Sequence, residues 1–344
     1  MAGVRELLNT LYVQTPGTWL GLDHDSVVAR IDKEPPKRVP LRRLEAIVVF
    51  GPINVSAPLI HQCGRDGIQI SWLTSFGRFG GSLRGPTSGN VLLRQAQHRS
   101  HEDLDRHLET ARTLVGGKLL NCARFARHGA HLAARRPEGA ELQVNAGRID
   151  EARRQLVEAR DLDELRGAEG AASRLHFENV RLCLRGGLEF ESRSRRPPLS
   201  PFNALLSFLY GLARHRTEHA LDAVGLDPQI GFLHSLRPGR PALALDLLEE
   251  HRAVIDRLAV TLTNKRQVKN DSFLIQPGGA TSLTEDGRRV VLTLWTEALE
   301  REVTHPVLKE RVPYGLIFQI QATIFARYLR GDLLAYLPFA SEPD

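Results

Sequence analysis

The chain has 344 residues, 42% of them hydrophobic, and this length predicts two domains rather than one. No apolar run approaches the ~18 residues that a membrane helix needs, and the first residues lack a long apolar core, so neither a membrane protein nor a secretory signal is predicted. The net charge is only +6, but 40 of the 46 basic residues are arginines, a bias that suits a nucleic-acid partner and that a GC-rich coding sequence also explains.

The first 85 residues have the pattern of short strands. Apolar or alternating runs are separated by turn residues, which predicts strands over residues 18–22, 27–31, 46–50, 67–73 and 79–83. One helix is predicted over residues 56–66, with Ser56 as its N-terminal cap. Residues 1–85 are therefore predicted to form a β-rich domain, and the turn-rich residues 86–90 a linker.

Beyond residue 90 the hydrophobic period becomes helical. Helical patterns cover residues 91–136, 148–158, 163–185, 200–224, 241–263, 285–303 and 314–329. Because strands and helices are segregated along the chain, the predicted fold class is α+β, with a small N-terminal β-rich domain and a larger all-α C-terminal domain over residues 91–344.

Common catalytic signatures are missing from the sequence. It has no GxxxxGK[ST] loop, no GxGxxG after a strand, no GxSxG and no HExxH, which disfavours a nucleotide-driven motor, a Rossmann oxidoreductase and an α/β-hydrolase. The three cysteines, Cys63, Cys122 and Cys183, form no CxxC pair, so neither a disulfide framework nor a zinc ribbon is predicted. A reducing cytoplasm is the expected location.

A histidine cluster follows the predicted linker. His98, His101 and His107 lie beside Glu102 and Asp103, and histidines three apart can share one face of a helix. A third ligand of known geometry is missing, so we interpret this segment as a solvated polar helix face rather than a metal site.

Paired acids occur in the helix predicted over residues 241–263. Asp246 and Glu249 are three residues apart, so both carboxylates project from one face, at the edge of its apolar stripe. Partly desolvated carboxylates need a cation, a proton or hydrogen-bond donors. Acidic pairs at this spacing also arise by chance, so the pair alone does not define a site.

A third acid, Glu169, lies between Gly167 and Gly170 in a helical pattern. Each glycine in a helix interior lowers helix stability by roughly 1 kcal/mol relative to alanine. The two glycines that leave this helix face nearly bare therefore require an explanation. Close helix packing and close approach of a ligand both supply one.

His234 precedes a Gly/Pro/Arg loop that leads directly into the Asp246 and Glu249 helix. A joint site built from two carboxylates and an imidazole gives an oxygen and nitrogen ligand set that suits Mg²⁺ or Mn²⁺. A metal ion of this kind can polarise a phosphoryl oxygen and activate an attacking hydroxyl.

Basic segments flank these candidates in sequence. A charge run is often only a solvated surface, but several runs around one acidic cluster favour a polyanionic substrate. The candidate DNA-binding residues are Arg193, Arg195, Arg196, Arg214, Arg237, Arg240, Lys265, Arg266 and Lys269.

Several segments in combination carry a family resemblance. They include LLNTLYVQTPGTWLGLD, GGKLLNCARF, AEGAASRLHF, GFLHSLRPGRP and LDLLEEHR. From about residue 5 to residue 339 the chain resembles the CRISPR-associated integrases of the Cas1 family, and it looks closest to members of subtype I-C systems. The resemblance implies a β-rich N-terminal domain and a helical C-terminal domain.

The resemblance also implies roles for single residues. It makes Glu169, His234 and Glu249 the ligands of a divalent metal, Mg²⁺ or Mn²⁺, and Asp246 an accompanying acid that supports the site or orients a water. It implies a homodimer, two of which flank a Cas2 dimer in a hetero-hexamer, and double-stranded DNA as the substrate, both as prespacer and as CRISPR repeat.

The expected reaction is metal-dependent transesterification, in which a DNA 3′-hydroxyl attacks a phosphodiester and a new spacer enters the array. Two alternatives stay open: a metal-dependent nuclease that does not join strands, and a non-catalytic DNA-binding subunit whose carboxylates serve helix packing. The sequence departs from the family pattern at His176, where a tyrosine is usual, and in its last residues.

Overall fold

The computed structural model describes residues 4–7, 10–32, 34–74, 79–83, 85, 91–195 and 197–340. The chain divides into two compact units. The first combines residues 1–88 with 271–274 and 282–297, and the second contains residues 89–270, 275–281 and 298–344. The domain limits drawn from sequence stay a prediction, and the predicted linker at 86–90 lies outside the described residues.

Two sheets form the centre of the first unit. Along the chain their strands are β1 (Val4–Leu7), β2 (Thr10–Val13), β3 (Trp19–Asp23), β4 (Ser26–Arg30), β5 (Lys37–Pro40), β6 (Ala46–Phe50), β7 (Asn54–Val55), β8 (Gln69–Leu73) and β9 (Phe79–Leu83). One sheet has the order β1-β2-β6-β8-β9, with β2, β6 and β8 parallel, and the other has the order β5-β4-β3-β7. The five predicted strands are confirmed to within two residues, whereas β1, β2, β5 and β7, of two to four residues, were missed.

Both sheets share one apolar core with the helix α1 (Ala57–Asp66). Leu20, Ile47, Leu59 and Ile70 are fully buried in it. The predicted cap is confirmed, because Ser56 Oγ accepts a hydrogen bond from the Leu59 amide at 3.4 Å. The helix ends at a left-handed glycine, as helices often do.

Helices dominate the second unit. They are α2 (Val91–Glu102), α3 (Leu104–Leu132), α4 (Pro137–Gln155), α5 (Leu162–Cys183), α6 (Pro201–Val224), α7 (Ala242–Leu248), α8 (Arg252–Asn264) and α10 (Tyr314–Arg330), whereas α9 (Glu285–Glu300) begins in the first unit. The predicted helix over 91–136 is two helices, because Asp103 Oδ1 accepts from the Arg106 amide and starts α3. The fourth helix begins at Pro137, well before the predicted residue 148.

The expectation of an all-α C-terminal domain needs correction. Four strands of three residues lie in that region and pair as two small sheets: β10 (Phe273–Ile275) with β11 (Thr281–Leu283), and β12 (Glu302–Thr304) with β13 (Arg311–Pro313). Strands this short cannot display an alternating pattern, so sequence periodicity does not reveal them.

Among the described helices α3 is the longest, and many of its side chains are buried within the second unit. Its 29 residues include a buried stripe of small and apolar side chains, with Ala111, Ala123 and Ala126 fully buried. Small residues let neighbouring segments approach closely. A Cβ on Gly117 would overlap the Pro338 ring, so this glycine is required for the contact with the C-terminal segment.

The cysteines and the helix lengths bear on two sequence predictions, that the chain has no disulfide framework and no membrane helix. Cys63, Cys122 and Cys183 are buried free thiols. Within the described part of the chain, every helix is too short or too polar to span a lipid bilayer.

Candidate active site

Glu249 lies in a short 3-10 turn within the predicted 241–263 helix, whose backbone stays right-handed helical on both sides of the turn. A 3-10 turn at Glu249–His251 separates α7 from α8, and its three side chains are all buried. A 3-10 turn has about three residues per turn, so consecutive side chains point about 120° apart. Glu249, Glu250 and His251 therefore face three different surroundings from one short segment. The sequence placed Asp246 and Glu249 on one face of a helix, and the structure confirms this, because residues three apart align in a 3-10 turn and both carboxylates lie beside the His234 ring.

A lysine joins the two glutamates that the sequence singled out. Lys118 of α3 contacts Glu169 Oε1 through its Nζ, which also lies 2.7 Å from Glu249 Oε2. The lysine and Glu249 side chains are almost fully buried, and Glu169 is about one-quarter exposed. Buried ions of opposite charge compensate one another only when they are held this closely.

The ionisation of this cluster follows from its charges. Burial by itself would raise the pKa of the Glu249 carboxyl, but Arg252 and Lys118 outweigh burial and hold that pKa well below its usual range. Burial would likewise lower the pKa of Lys118, but Glu249 and Glu169 raise it. Arg252 Nε donates to Glu249 Oε1 at 2.8 Å. The cluster is therefore a set of charged groups that neutralise one another.

His234 is oriented by Asp246. Asp246 is fully buried, and its two oxygens accept hydrogen bonds from the backbone amides of Phe232, Leu233 and His234 at 2.5–3.0 Å. The His234 ring Nδ1 lies 2.7 Å from Asp246 Oδ1. Since the carboxylate accepts, Nδ1 carries the proton and the lone pair is left on Nε2. That Nε2 lies 3.9 Å from Glu249 Oε1.

The loop before His234 requires a glycine. A Cβ on Gly231 would lie 2.5 Å from Asp246 Oδ2 and 2.8 Å from the Leu243 amide nitrogen. Only a residue without a side chain lets the loop come this close to the start of α7. Asp246 therefore holds His234 and the loop that carries it.

The histidine cluster was interpreted as a solvated face, and for two of its members this is wrong. His101 Nδ1 lies 2.7 Å from the Gly231 carbonyl oxygen, and His107 Nε2 lies 2.6 Å from that of Phe232. Both rings also pack edge-on against Phe232. His98 is exposed, as predicted. The two inner histidines therefore fix the loop that carries His234, and their partners, about 130 residues away in sequence, could not be foreseen.

The bare helix face around Glu169 is open. A Cβ added to Gly167 or Gly170 would meet no atom within 4 Å, so tight helix packing does not explain these glycines. Glu169 and Gly170 border a cavity of about 820 Å³. Its rim also includes four arginines: Arg148, Arg174, Arg193 and Arg195. The face is therefore open to a ligand, at a cavity whose lining carries these arginines together with the further acids Glu178 and Glu191.

The predicted basic segment at 193–196 is only partly described. Arg193 is half-buried and donates to Asn203 Oδ1 at 2.9 Å and to Ser207 Oγ at 3.0 Å. Burial lowers the pKa of its guanidinium. Arg195 is exposed at the cavity, and Arg196 lies outside the described residues.

The segment around Arg214 is not an open basic surface. Arg214 Nε lies 3.1 Å from Glu218 Oε1, and the pair is largely shielded from solvent. The neighbouring His215 is buried, and burial lowers the pKa of its imidazole to about 3. The charge of Arg214 is thus compensated by Glu218, and the His215 side chain is neutral.

The remaining predicted basic residues lie on loops. Arg237 is exposed and Arg240 half-buried in the loop that follows His234. Lys265, Arg266 and Lys269 are exposed after the C-terminal end of α8. That helix has 13 residues, so this cluster lies roughly 20 Å from Glu249 at ~1.5 Å per residue.

Sequence reasoning missed a buried network behind Glu249. The Arg252 guanidinium lies 4.7 Å from the Tyr210 ring centroid, and the Tyr210 hydroxyl donates to Asp256 Oδ1. Asp256 Oδ2 in turn lies 2.8 Å from His176 Nε2. Burial alone would lower the pKa of His176, but Cys122 and Asp256 raise it to about 10. The residue that departs from the family pattern thus forms a buried ion pair linking α5 to α8.

The donor set suits a divalent cation. Glu249 Oε2 is buried and, among the described residues, accepts no hydrogen bond of good geometry. The His234 Nε2 lone pair lies nearby, and Glu169 supplies a second carboxylate. In the same described residues, however, no three His, Cys, Asp or Glu side chains are drawn together as a metal cluster. Lys118 Nζ occupies the space between the two carboxylates, so a cation that bound there would displace it.

Comparison with known proteins assigns the family. The model of the family described as "CRISPR associated protein Cas1" matches residues 11–297. The "CRISPR-associated endonuclease Cas1 1" of Moorella thermoacetica is 42% identical over 97% of this chain and 98% of its own length. The chain therefore belongs to a class of CRISPR-associated enzymes. The chain is a member of the Cas1 family, which confirms that resemblance and the prediction of an enzyme.

Solved structures confirm the fold at low sequence identity. The structure described as "Casposase bound to integration product" has a TM-score of 0.83 and 19% identity, and the match covers 100% of this chain and 95% of that one. A "Cas6-RT-Cas1–Cas2 complex" has a TM-score of 0.78 and 21% identity over 95% of this chain and 36% of that one. The β-rich N-terminal region and the helical C-terminal part are thus an architecture found in both.

Proposed function

We propose that this protein is a divalent-metal-dependent DNA endonuclease and integrase that inserts new spacers into a CRISPR array. The observation that carries the proposal is the contact of Glu169 and Glu249 with the single amine of Lys118, together with His234, whose Nε2 lies 3.9 Å from the other oxygen of Glu249. These three residues would hold Mg²⁺ or Mn²⁺. The relative from Moorella thermoacetica is named an endonuclease, which supports the nuclease part of the proposal.

The chain's own residues have distinct tasks in this proposal. A bound metal would polarise a phosphoryl oxygen and favour the ionised form of an attacking hydroxyl. Asp246 keeps the proton on His234 Nδ1, so that Nε2 remains a ligand. Arg252 holds Glu249 ionised by donating to Oε1. The open face at Gly167 and Gly170 lets a DNA backbone approach Glu169.

The substrate proposed is double-stranded DNA, as prespacer and as CRISPR repeat. Three exposed arginines at the cavity beside Glu169, Arg148, Arg174 and Arg195, suit phosphate groups, since a guanidinium donates two parallel hydrogen bonds to them. The exposed residues Lys265, Arg266 and Lys269 would meet the duplex away from the reacting bond. A 3′-hydroxyl would attack a phosphodiester by transesterification: its oxygen would bond to the phosphorus as the existing P–O bond of the target strand breaks, and that strand would leave with a free 3′-hydroxyl.

Partners follow from the family and the neighbouring structures. We propose a homodimer and a hetero-hexamer with a Cas2 dimer, because one structural neighbour is itself a complex that contains Cas1 and Cas2. Membership of subtype I-C and a cytoplasmic location stay predictions.

The test of this function is integration of a labelled prespacer into a supercoiled plasmid that carries a repeat array. Glu169→Gln removes a ligand charge but keeps the size of the side chain, and we expect it to abolish joined product while duplex binding persists. Glu178→Gln, on the same helix and also at the cavity rim, is the matched control. Full integration by Glu169→Gln would contradict the assignment.

The same assay separates the alternatives. Shortened strands without joined product would favour a nuclease that does not integrate. Binding that ignores EDTA, with no covalent product in Mg²⁺ or Mn²⁺, would favour a structural DNA-binding subunit.

A further inference from the structure

The C-terminal segment passes directly behind the candidate active site. Residues 336–339 follow α10, and Tyr336 and Phe339 are almost fully buried, whereas Leu334 is entirely exposed. An irregular segment near a chain end is ordinarily poorly ordered unless specific contacts hold it. Here the contacts converge on Glu250, the residue next to Glu249.

The Glu250 carboxylate accepts three kinds of donor. The Phe339 amide donates to Oε2 at 2.6 Å, the Tyr336 hydroxyl lies 2.9 Å from Oε1, and Gln321 Nε2 lies 3.0 Å from Oε2. The Gln321 amide cannot flip freely, because its oxygen accepts from His305 Nε2 at 3.0 Å. Two of the three donors thus come from the C-terminal segment, and the third is fixed in orientation.

The backbone of the segment is tied to the same turn. Asn121 Nδ2 donates to the carbonyl oxygens of Glu250 and Phe339, both at 2.8 Å. The Phe339 ring also stacks near the His251 ring, with centroids 5.8 Å apart. Both backbone polar groups of Phe339 are therefore bonded to Glu250 directly or through one amide.

A second contact lies next to the lysine in sequence. Pro338 packs against Gly117, so closely that a Cβ on the glycine would overlap it. The segment thus touches the neighbour of Lys118 on α3 and the neighbour of Glu249 in the 3-10 turn. Because successive side chains of that turn diverge by about 120°, a rotation that freed Glu250 would also turn Glu249 away.

We propose that residues 336–339 are a positioning element of the active site, which fixes the directions of Glu249 and Lys118 by holding Glu250 and Gly117. This inference rests on the proposed function of Glu249 as a metal ligand. Tyr336 and Phe339 act through Glu250 rather than on the reacting groups, so both are positioning residues.

The test compares two tyrosine-to-phenylalanine variants of the full chain. Tyr336→Phe removes the hydroxyl bound to Glu250. Tyr328→Phe is the matched control, because its hydroxyl lies 3.0 Å from Thr110 Oγ1, joins α10 to α3 and is also buried, but does not touch Glu250. Thermal unfolding and Mn²⁺ titration without DNA are measured for each, followed by strand transfer as a function of Mn²⁺ concentration.

We expect both variants to lose similar stability, but only Tyr336→Phe to weaken Mn²⁺ binding, by roughly tenfold, the lower end of the effect of groups that orient metal ligands. Excess Mn²⁺ should restore its strand transfer. Equal Mn²⁺ affinity in the two variants would overturn the proposal. Should Tyr336→Phe fail to fold, Phe339→Leu, which shrinks the ring beside His251, is expected to shift Mn²⁺ binding in the same direction.

Glu249→Gln distinguishes failure of the positioning role from failure of the proposed function of Glu249 as a metal ligand. If that variant binds Mn²⁺ like the wild type, the ligand assignment fails. If it loses Mn²⁺ binding while Tyr336→Phe behaves like Tyr328→Phe, only the positioning role fails.

Discussion

Lys118 and Glu249 form a buried ion pair in which Nζ lies 2.7 Å from Oε2 and the two side chains are only 7% and 4% exposed. The same amine contacts Glu169. When no metal is bound, the Lys118 amine therefore supplies the positive charge that the two converging carboxylates need. Metal binding at these carboxylates must compete with a tethered cation, and this has measurable consequences.

Replacing Lys118 should make the thermal stability of the protein more dependent on bound metal. Lys118→Met leaves two carboxylates without their amine, and removing one member of a buried ion pair costs roughly 3–5 kcal/mol. We expect a lower melting temperature without metal, and a larger rise on adding Mn²⁺ than in the wild type. Lys265→Met, at an exposed position, should change neither value. An equal rise in the wild type and Lys118→Met would show that the amine does not compete with the ion.

Asp246 should affect metal binding through the imidazole. Asp246→Asn turns an acceptor that takes four donors into a group with one oxygen, so buried amides lose partners at a cost of about 1–3 kcal/mol. His234 also loses the group that keeps its proton on Nδ1. We expect Mn²⁺ affinity to fall ~10–100-fold by calorimetric titration. Asp227→Asn, whose carboxylate accepts from the Gln229 amide, is the control. Unchanged affinity in Asp246→Asn would rule out this indirect role.

Two substitutions at Gly170 on the open helix face should have different effects: a small side chain should raise stability, and a large one should slow DNA cleavage. Gly170→Ala meets no atom and should stabilise the helix by about 1 kcal/mol in urea unfolding. Gly170→Leu should also fold, but its side chain would project into the cavity and slow DNA cleavage while Mn²⁺ binding stays unchanged. Gly147→Leu, equally open on α4, is the control. Normal cleavage by Gly170→Leu would mean that DNA does not approach along this face.

Acid should destabilise the protein through His215. Burial lowers the pKa of its imidazole to about 3, against ~6.5 in the unfolded chain, so below neutral pH the unfolded state binds the extra proton. Its contribution to stability is present above pH ~6.5 and is lost as pH falls towards 3, with a slope approaching ~1.4 kcal/mol per pH unit.

His215→Leu tests that slope. Urea unfolding between about pH 5 and 7 should give a flatter pH dependence for His215→Leu than for the wild type. The exposed His98, replaced in the same way, should leave the wild-type slope in place. A steep slope retained in His215→Leu would assign the acid sensitivity to other groups.

Local signals in the sequence determined much of this protein. The period of the hydrophobic pattern located the strands at 46–50 and 79–83, and a serine before an apolar run located the start of α1. Glycines on both sides of Glu169 marked a nearly bare helix face, although only the structure showed that this face is open rather than packed against another helix. These features depend on neighbouring residues and on backbone preference, which act within a turn or two of the chain.

The tertiary structure alone decided which groups meet. Lys118 lies 51 residues before Glu169 and 131 before Glu249, and nothing in its own helix indicates that its amine faces two carboxylates. Asn121 and the C-terminal segment meet at the 3-10 turn that carries Glu249, and His101 and His107 act on a loop far along the chain. A buried charge takes whichever partner packing brings within a few ångströms, and packing joins segments that are distant in sequence.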